Sequence, residues 1–344
     1  MKKKRGYISI IALIIMSVLM IMGLYLGYIA KLQFSILAST KNNIQSYYMS
    51  EGKIYFSLYE EKYYKDQLCH ILEETFRNKK FNLSSNTIVL DNKDLEKDDI
   101  ANKVEVSFRD KDKRKELVLT TNSNHYGIET KVIGSGTIVN ELFEIEKSIL
   151  DQSSINYQYG NKLEKLLLKL YNEISINNCN KPENIYGIEL FSFDNVYISK
   201  KDSSIFELSS FRDTMINPYV ERFDKKEIFV VLKSQEERYV KFHIGEPNSI
   251  YEDIELSGII YVEGDIIISS NLNFNGIIIV MDGEIIIDIE DKPTIKGIVI
   301  INNKNNNGHI NQNINIVYNR DYVYQYGTFL PGFIDIKLDL IKSN

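Results

Sequence analysis

GIIYVEGDIII (258–268), GIIIVMDGEIII (276–287) and the partial GIVII (297–301) align at offsets of 18 and 21 residues, an internal repeat in a chain of 344 residues. Their β-branched runs are nearly continuous, a mark of strands buried on both faces or stacked in parallel. No helical pattern separates the runs, so a βαβ sheet is excluded, and coiling around a solenoid supplies the crossover that parallel strands require. Each coil is expected to have three short faces: 259–262, 265–268 and 272–274 in one, then 277–280, 284–287 and 293–296 in the next. Glycines fall at the corners, where positive φ or missing bulk is needed. A β-sandwich made of hairpins is the competing arrangement. Stacked coils would set the acids Glu263 and Asp265 over Asp282 and Glu284, with strands about 4.8 Å apart. Such carboxylates repel unless water screens them or a hard cation such as calcium lies between them. Solvated turns are the expected account, and no metal is assigned.

Upstream the pattern changes. Between Asn82 and about Leu150, alternating segments at 87–90, 104–108, 117–119 and 126–132 read as an antiparallel meander. The mixed charge run RDKDKRKE (109–116) is expected to be an exposed hairpin tip. From Gly160 to about Ile176, Leu163, Leu166, Leu167, Leu170 and Ile174 mark an amphipathic helix with lysines and glutamates opposite. The fold class expected is therefore α+β: residues 81–180 form a mixed domain, and residues 181–344 form a β-rich domain with β-helix coils at 256–303.

At the other end, MKKKR (1–5) precedes an uncharged run from Gly6 to Ala30. At ~1.5 Å per residue that run reaches roughly 37 Å, longer than the ~30 Å hydrocarbon layer. A transmembrane helix over 7–30 is predicted. The basic cluster holds the N-terminus in the cytoplasm and sends the remainder outside. A cleaved secretory signal is disfavoured, since 29–33 is a poor cleavage site. Leu32, Ile36, Ile44, Tyr47, Tyr48, Ile54, Tyr55 and Leu58 continue the helical spacing, which predicts an extended amphipathic helix over 31–80. Its apolar stripe must be covered by a globular domain or by neighbouring subunits. Gly23 and Gly27 form a GxxxG pair of the kind that lets helix backbones pack closely in a bilayer.

The segment KKKRGYISIIALII (2–15), followed by QSYYMSEG (45–52), resembles the N-terminus of type IV pilin-like proteins, especially PilX-type minor pilins and K-type minor pseudopilins. The resemblance covers roughly the first sixty residues. It implies a short leader ending at Gly6, a prepilin peptidase that cuts before Tyr7, and other pilin-like subunits as partners. Major pilins carry a glutamate five residues into the mature chain and usually a helix-bending proline. Here Ile11 stands at the first position and the proline is absent, which fits a minor or tip subunit. The glycine-valine-isoleucine coils resemble the β-helical domains of bactofilin-like polymer-forming proteins.

Composition narrows function further. With 41 Lys+Arg against 47 Asp+Glu, the net charge of −6 lacks the basic excess of nucleic-acid binders. Cys69 and Cys179 match no ligand spacing, and His70, His125, His243 and His309 form no cluster. No nucleophile-elbow, zincin, Walker A or dinucleotide motif is present. The expected protein is non-enzymatic and needs no cofactor. It crosses the cell membrane once with its C-terminal part outside, and it serves as a minor pilin or pseudopilin-like filament subunit. The alternative is a membrane-anchored surface protein whose β-helical domain binds wall polymer or self-associates.

Overall fold

The computed structural model describes residues 3–81, 86–97, 99, 101–178, 184–213, 215–234, 239–246, 253–302 and 313–343. Helix α1, Lys3–Tyr59, is a rod of 57 residues, about 85 Å long. It does not run on to residue 80 as one element. Glu60 adopts extended backbone (φ −81°, ψ 120°), a single turn α2 (Glu61–Tyr63) follows, and Tyr64–Cys69 winds as a wide π-type turn. Helix α3 (His70–Asn78) then ends on left-handed Lys79. The break turns the chain inward: Tyr59 is exposed, whereas Tyr63, Leu68, Leu72 and Phe76 are buried. The Tyr63 hydroxyl donates to Asp94 (2.5 Å) and accepts from the Asp91 amide (2.9 Å), which anchors the new direction.

The rod rests on an antiparallel sheet, β1 (Asn86–Val89), β2 (Lys103–Lys111), β3 (Arg114–His125) and β4 (Ile128–Val139), paired in chain order. The charge run closes β2 onto β3 through Asp112 and Lys113 at positive φ, so it is the expected hairpin tip. After β4 come the two-residue strand β5 (Ile149–Leu150) and helix α4 (Tyr157–Glu173), whose Leu163, Leu166, Leu167 and Leu170 are buried as the periodicity requires.

The C-terminal region holds mixed sheets. One wall stacks β6 (Tyr186–Phe191), β10 (Glu227–Lys233), the first part of β12 (Ile254–Ile268), β13 (Leu272–Met281), β15 (Thr294–Asn302) and β16 (Asn315–Val317), all in parallel. A second wall stacks β7 (Asn195–Lys200), β11 (Val240–Ile244), the end of β12 and β14 (Ile285–Ile287), again in parallel. An antiparallel pair, β8 (Phe206–Phe211) and β9 (Tyr219–Phe223), extends β7. Gly258 lies beside Gly276 and Gly276 beside Gly297, so the offsets of 18 and 21 residues are the physical register. A Cβ on Gly276 would sit 2.0 Å from the Gly258 carbonyl oxygen, and one on Gly297 would sit 1.8 Å from that of Gly276. With φ at 152° in both, only glycine fits.

The parallel pairing overturns the hairpin sandwich, and it begins well before residue 256, since β6 and β7 are already in the stack. The faces are also longer than expected: residues 272–274 and 277–280 lie in one unbroken strand. Ile228, Val230, Ile260, Val262, Ile278 and Val280 face a core between the walls. Their neighbours Phe229, Val231, Ile259, Tyr261, Ile277 and Ile279 join the cluster that holds the α4 leucines and Tyr324 and Phe329, in and just after helix α5 (Arg320–Gly327). Burial on both sides is why these runs do not alternate.

The strand after α5 lies outside the parallel stack. β17 (Ile334–Ser343) returns to pair antiparallel with β4, because that edge would otherwise leave its backbone donors and acceptors unmatched. β5 likewise crosses the boundary to pair with β15. The fold is α+β, with a long apolar N-terminal helix and a β-rich C-terminal region.

Candidate functional site

The feature that dominates the molecule is the uncovered length of α1. From Tyr7 to Leu37 its side chains are exposed, apart from a half-covered Ile29, although most are apolar. By length and composition this helix can cross a membrane. Side chains rotate by about 100° per residue, so Gly23 and Tyr59 lie about ten full turns apart on one line. Gly27, Phe34, Leu37, Ile44, Tyr48 and Tyr55 fall within roughly 60° of that line, with Lys41 upon it. All of these positions are exposed, and nothing lies within 4 Å of a Cβ built on Gly23 or Gly27. The seam is also preorganised, since Tyr55 and Tyr59 stack with ring centroids 5.9 Å apart.

The opposite side of the rod grips the antiparallel sheet. Ser46 Oγ donates to the Ser123 carbonyl (2.7 Å) and Ser50 Oγ to that of Thr130 (3.0 Å), while Asn43 Oδ1 accepts from Thr130 Oγ1 (3.0 Å). One turn on, the Lys53 ammonium lies 2.6 Å from Asp99, with both side chains almost fully buried. It also donates to the carbonyls of Asn122 (2.8 Å) and Ala101. Burial pushes the Lys53 ammonium below the usual lysine range, opposed by the hydrogen bond and charge of Asp99. Ile54 fills the space over Gly134, where an added Cβ would meet it at 3.1 Å.

Of the residues singled out from sequence, Gly6 and Tyr7 lie in the first turns of α1, and Tyr7 and Ile11 are exposed. The stripe expected on the outer helix divides: Ile54 and Leu58 are buried, but Leu32, Ile36, Ile44, Tyr48 and Tyr55 are not. Ser46, Ser50 and Lys53 share the contact with Ile54. Their spacing of four and three residues, opposite Tyr48 and Tyr55, was the available signal.

The corner acids depart from expectation. Glu263 lies beside Met281, and the register then lengthens by one residue, since Ile266 pairs with Ile285. Asp282 is the inserted residue, held at φ 57°. The four carboxylates therefore do not form a stack of solvated turns. Glu263 is buried and accepts from the Ser234 amide (2.9 Å), Ser234 Oγ (3.1 Å) and the Tyr261 hydroxyl (2.9 Å). Asp265 Oδ1 accepts from the Glu284 amide (3.0 Å). Among the described residues no group of three His, Cys, Asp or Glu side chains is placed to hold a metal. Cys69 is a free thiol raised by burial, while Cys179 and His309 lie outside the described residues. Comparison with known protein families, curated proteins and solved structures brings no significant match for this chain.

Proposed function

We propose that this chain is a non-enzymatic structural subunit of a type IV pilus-like filament, a minor pilin or pseudopilin. In this reading α1 crosses the cell membrane once over 7–30, the basic start stays inside, the folded head stands outside, and a prepilin peptidase cuts between Gly6 and Tyr7. The observation that supports it best is the division of α1 into two faces. Ser46, Ser50 and Lys53 commit one face to the head, while the opposite seam from Gly23 to Tyr59 is apolar and open. Sister helices from other pilin-like subunits fit that seam: Gly23 and Gly27 admit close approach within the bilayer, and aromatic residues continue the contact beyond it. The two parallel walls, with Gly258, Gly276 and Gly297 in register inside their strands, are read as a β-helix that forms the body of the head.

N-terminal sequencing of the mature chain tests processing, and a methylated Tyr7 start is expected. Gly23→Cys and Tyr48→Cys, introduced singly, should each yield disulfide-linked neighbours in membranes, whereas a cysteine at Asn42, toward the flank, should not. An intact Met1 together with no cross-linking would overturn the reading. The second reading is a surface protein that stays anchored and never enters a filament; Ile11, with no acid to meet a neighbour's terminal amine, fits it as well as it fits a minor subunit.

A further inference from the structure

A cavity of about 400 Å³ opens between helix α4 and the corner of the parallel stack, within the usual range of about 300–1,000 Å³ for small-ligand sites. Its floor is apolar, made by buried Leu167 and Met281. Its rim carries two carboxylates, Glu164 and Asp282, and two carboxamides, Gln152 and Asn302. Among the described residues no cationic side chain lines it. On the same side α4 presents Leu168 and Tyr171, 62% and 52% exposed, three residues apart on a helix whose other leucines are buried. Neither is needed for the packing of α4, so the helix keeps two apolar surfaces in water next to a cavity.

Asp282 is fixed from the stack: its amide donates to the Asn302 carbonyl (2.6 Å), which ties the corner to the next strand. Carboxylate and carboxamide therefore reach the cavity from adjacent strands, and Glu164 and Tyr171 reach it from the helix. Among the described residues Glu164 has no ion-pair partner within 4.0 Å.

We propose that this cavity binds an amine-bearing saccharide, a hexosamine unit with a free ammonium. Each group has a complementary partner in such a ligand. The carboxylates attract the ammonium, accept from vicinal hydroxyls and repel acidic sugars. The carboxamides supply both donors and acceptors, as a ring of hydroxyls requires. The Tyr171 face covers the C–H side of the pyranose and attracts a nearby ammonium through its quadrupole. This goes beyond the filament reading and does not depend on it, because the site lies on the head and none of its residues belongs to α1.

The test uses the full chain in detergent micelles, titrated calorimetrically with a glucosamine tetramer, its fully N-acetylated counterpart, an oligogalacturonate and a trilysine peptide. The glucosamine tetramer is expected to bind, at least tenfold more tightly than the acetylated tetramer, with no binding of the acidic oligomer. Tyr171→Ala and the pair Glu164→Gln with Asp282→Asn should each weaken it at least tenfold, while Tyr171→Phe retains it. Unchanged circular dichroism and melting would show that the variants fold, as the exposure of Tyr171 predicts. Absence of binding at millimolar glucosamine tetramer, equal affinity of wild type and the Glu164/Asp282 variant, or trilysine binding as tight as the sugar would each overturn the proposal. Processing at Gly6 and cross-linking through Gly23 are separate readouts, so failure here and failure of the filament reading are distinguishable.

Discussion

The antiparallel sheet under α1 and the parallel stack behind it meet in one hydrophobic cluster but specify themselves by different means. In the sheet, register comes from hairpin turns and alternation, and a glycine such as Gly134 faces a movable Ile54 side chain at 3.1 Å. In the stack, register comes from glycines pressed against the backbone of the preceding strand, where Gly276 has 2.0 Å to a carbonyl oxygen. A side chain can shift aside, whereas a laddered carbonyl cannot move without breaking its pairing. Parallel strands far apart in sequence thus rely on steric exclusion where local turns suffice for hairpins.

The largest effect expected from this contrast is at the glycines. Gly276→Ala should destabilise by about 4 kcal/mol or more, through the backbone clash and the left-handed φ, whereas Gly134→Ala should cost about 1 kcal/mol. Denaturant melts of the two variants measure this, and equal costs would break the comparison. Next comes the joint between rod and sheet. Lys53→Met leaves Asp99 buried and uncompensated, with an expected loss of about 3–5 kcal/mol, while adding Asp99→Asn recovers much of it. A double-mutant cycle reads the coupling.

Titration gives an intermediate effect whose sign differs between two buried glutamates. Hydrogen bonding from Arg109, assisted by Lys111, holds Glu116 on β3 below the usual carboxylate range. Its contribution is therefore present above the unfolded pKa and lost as pH falls through the lower folded value. Glu144 sits where the sheet joins the shared cluster, and burial raises it, opposed by the Tyr324 hydroxyl at 2.6 Å and by Arg114. Its contribution is full below the unfolded pKa and is lost as pH rises through the higher folded value. Melting temperature against pH should accordingly flatten on the acid side in Glu116→Gln and on the rising side above pH 4.5 in Glu144→Gln. The smallest effect is at the tip between β2 and β3, where Asp112→Asn with Lys113→Gly suits two left-handed residues and should stabilise by up to about 1 kcal/mol.

Much of this was legible along the chain. The repeat of Gly258, Gly276 and Gly297 predicted the pairing register because stacked strands impose the same steric demand at each level. The leucines of α4 predicted its buried face, and the charge run predicted a hairpin tip. The earlier levels of the stack carry no such signal, since β7–β9 separate β6 from β10, β11 separates β10 from β12, and the two intervals differ. The corner acids misled because one inserted residue, Asp282, changes which carboxylates are neighbours.

By itself the sequence determined the apolar rod, the alternation of the meander and the parallel register of the glycine repeats, since each follows from a period that local geometry must obey. Only the tertiary structure decided which side of the rod meets the head, where the final strand goes, and that α4 and a stack corner share a cavity. Periodicity shows that a helix has two faces, but not which one is covered. Here a row of serines and one buried lysine satisfied the sheet's backbone and took the contact, leaving the more apolar face outside.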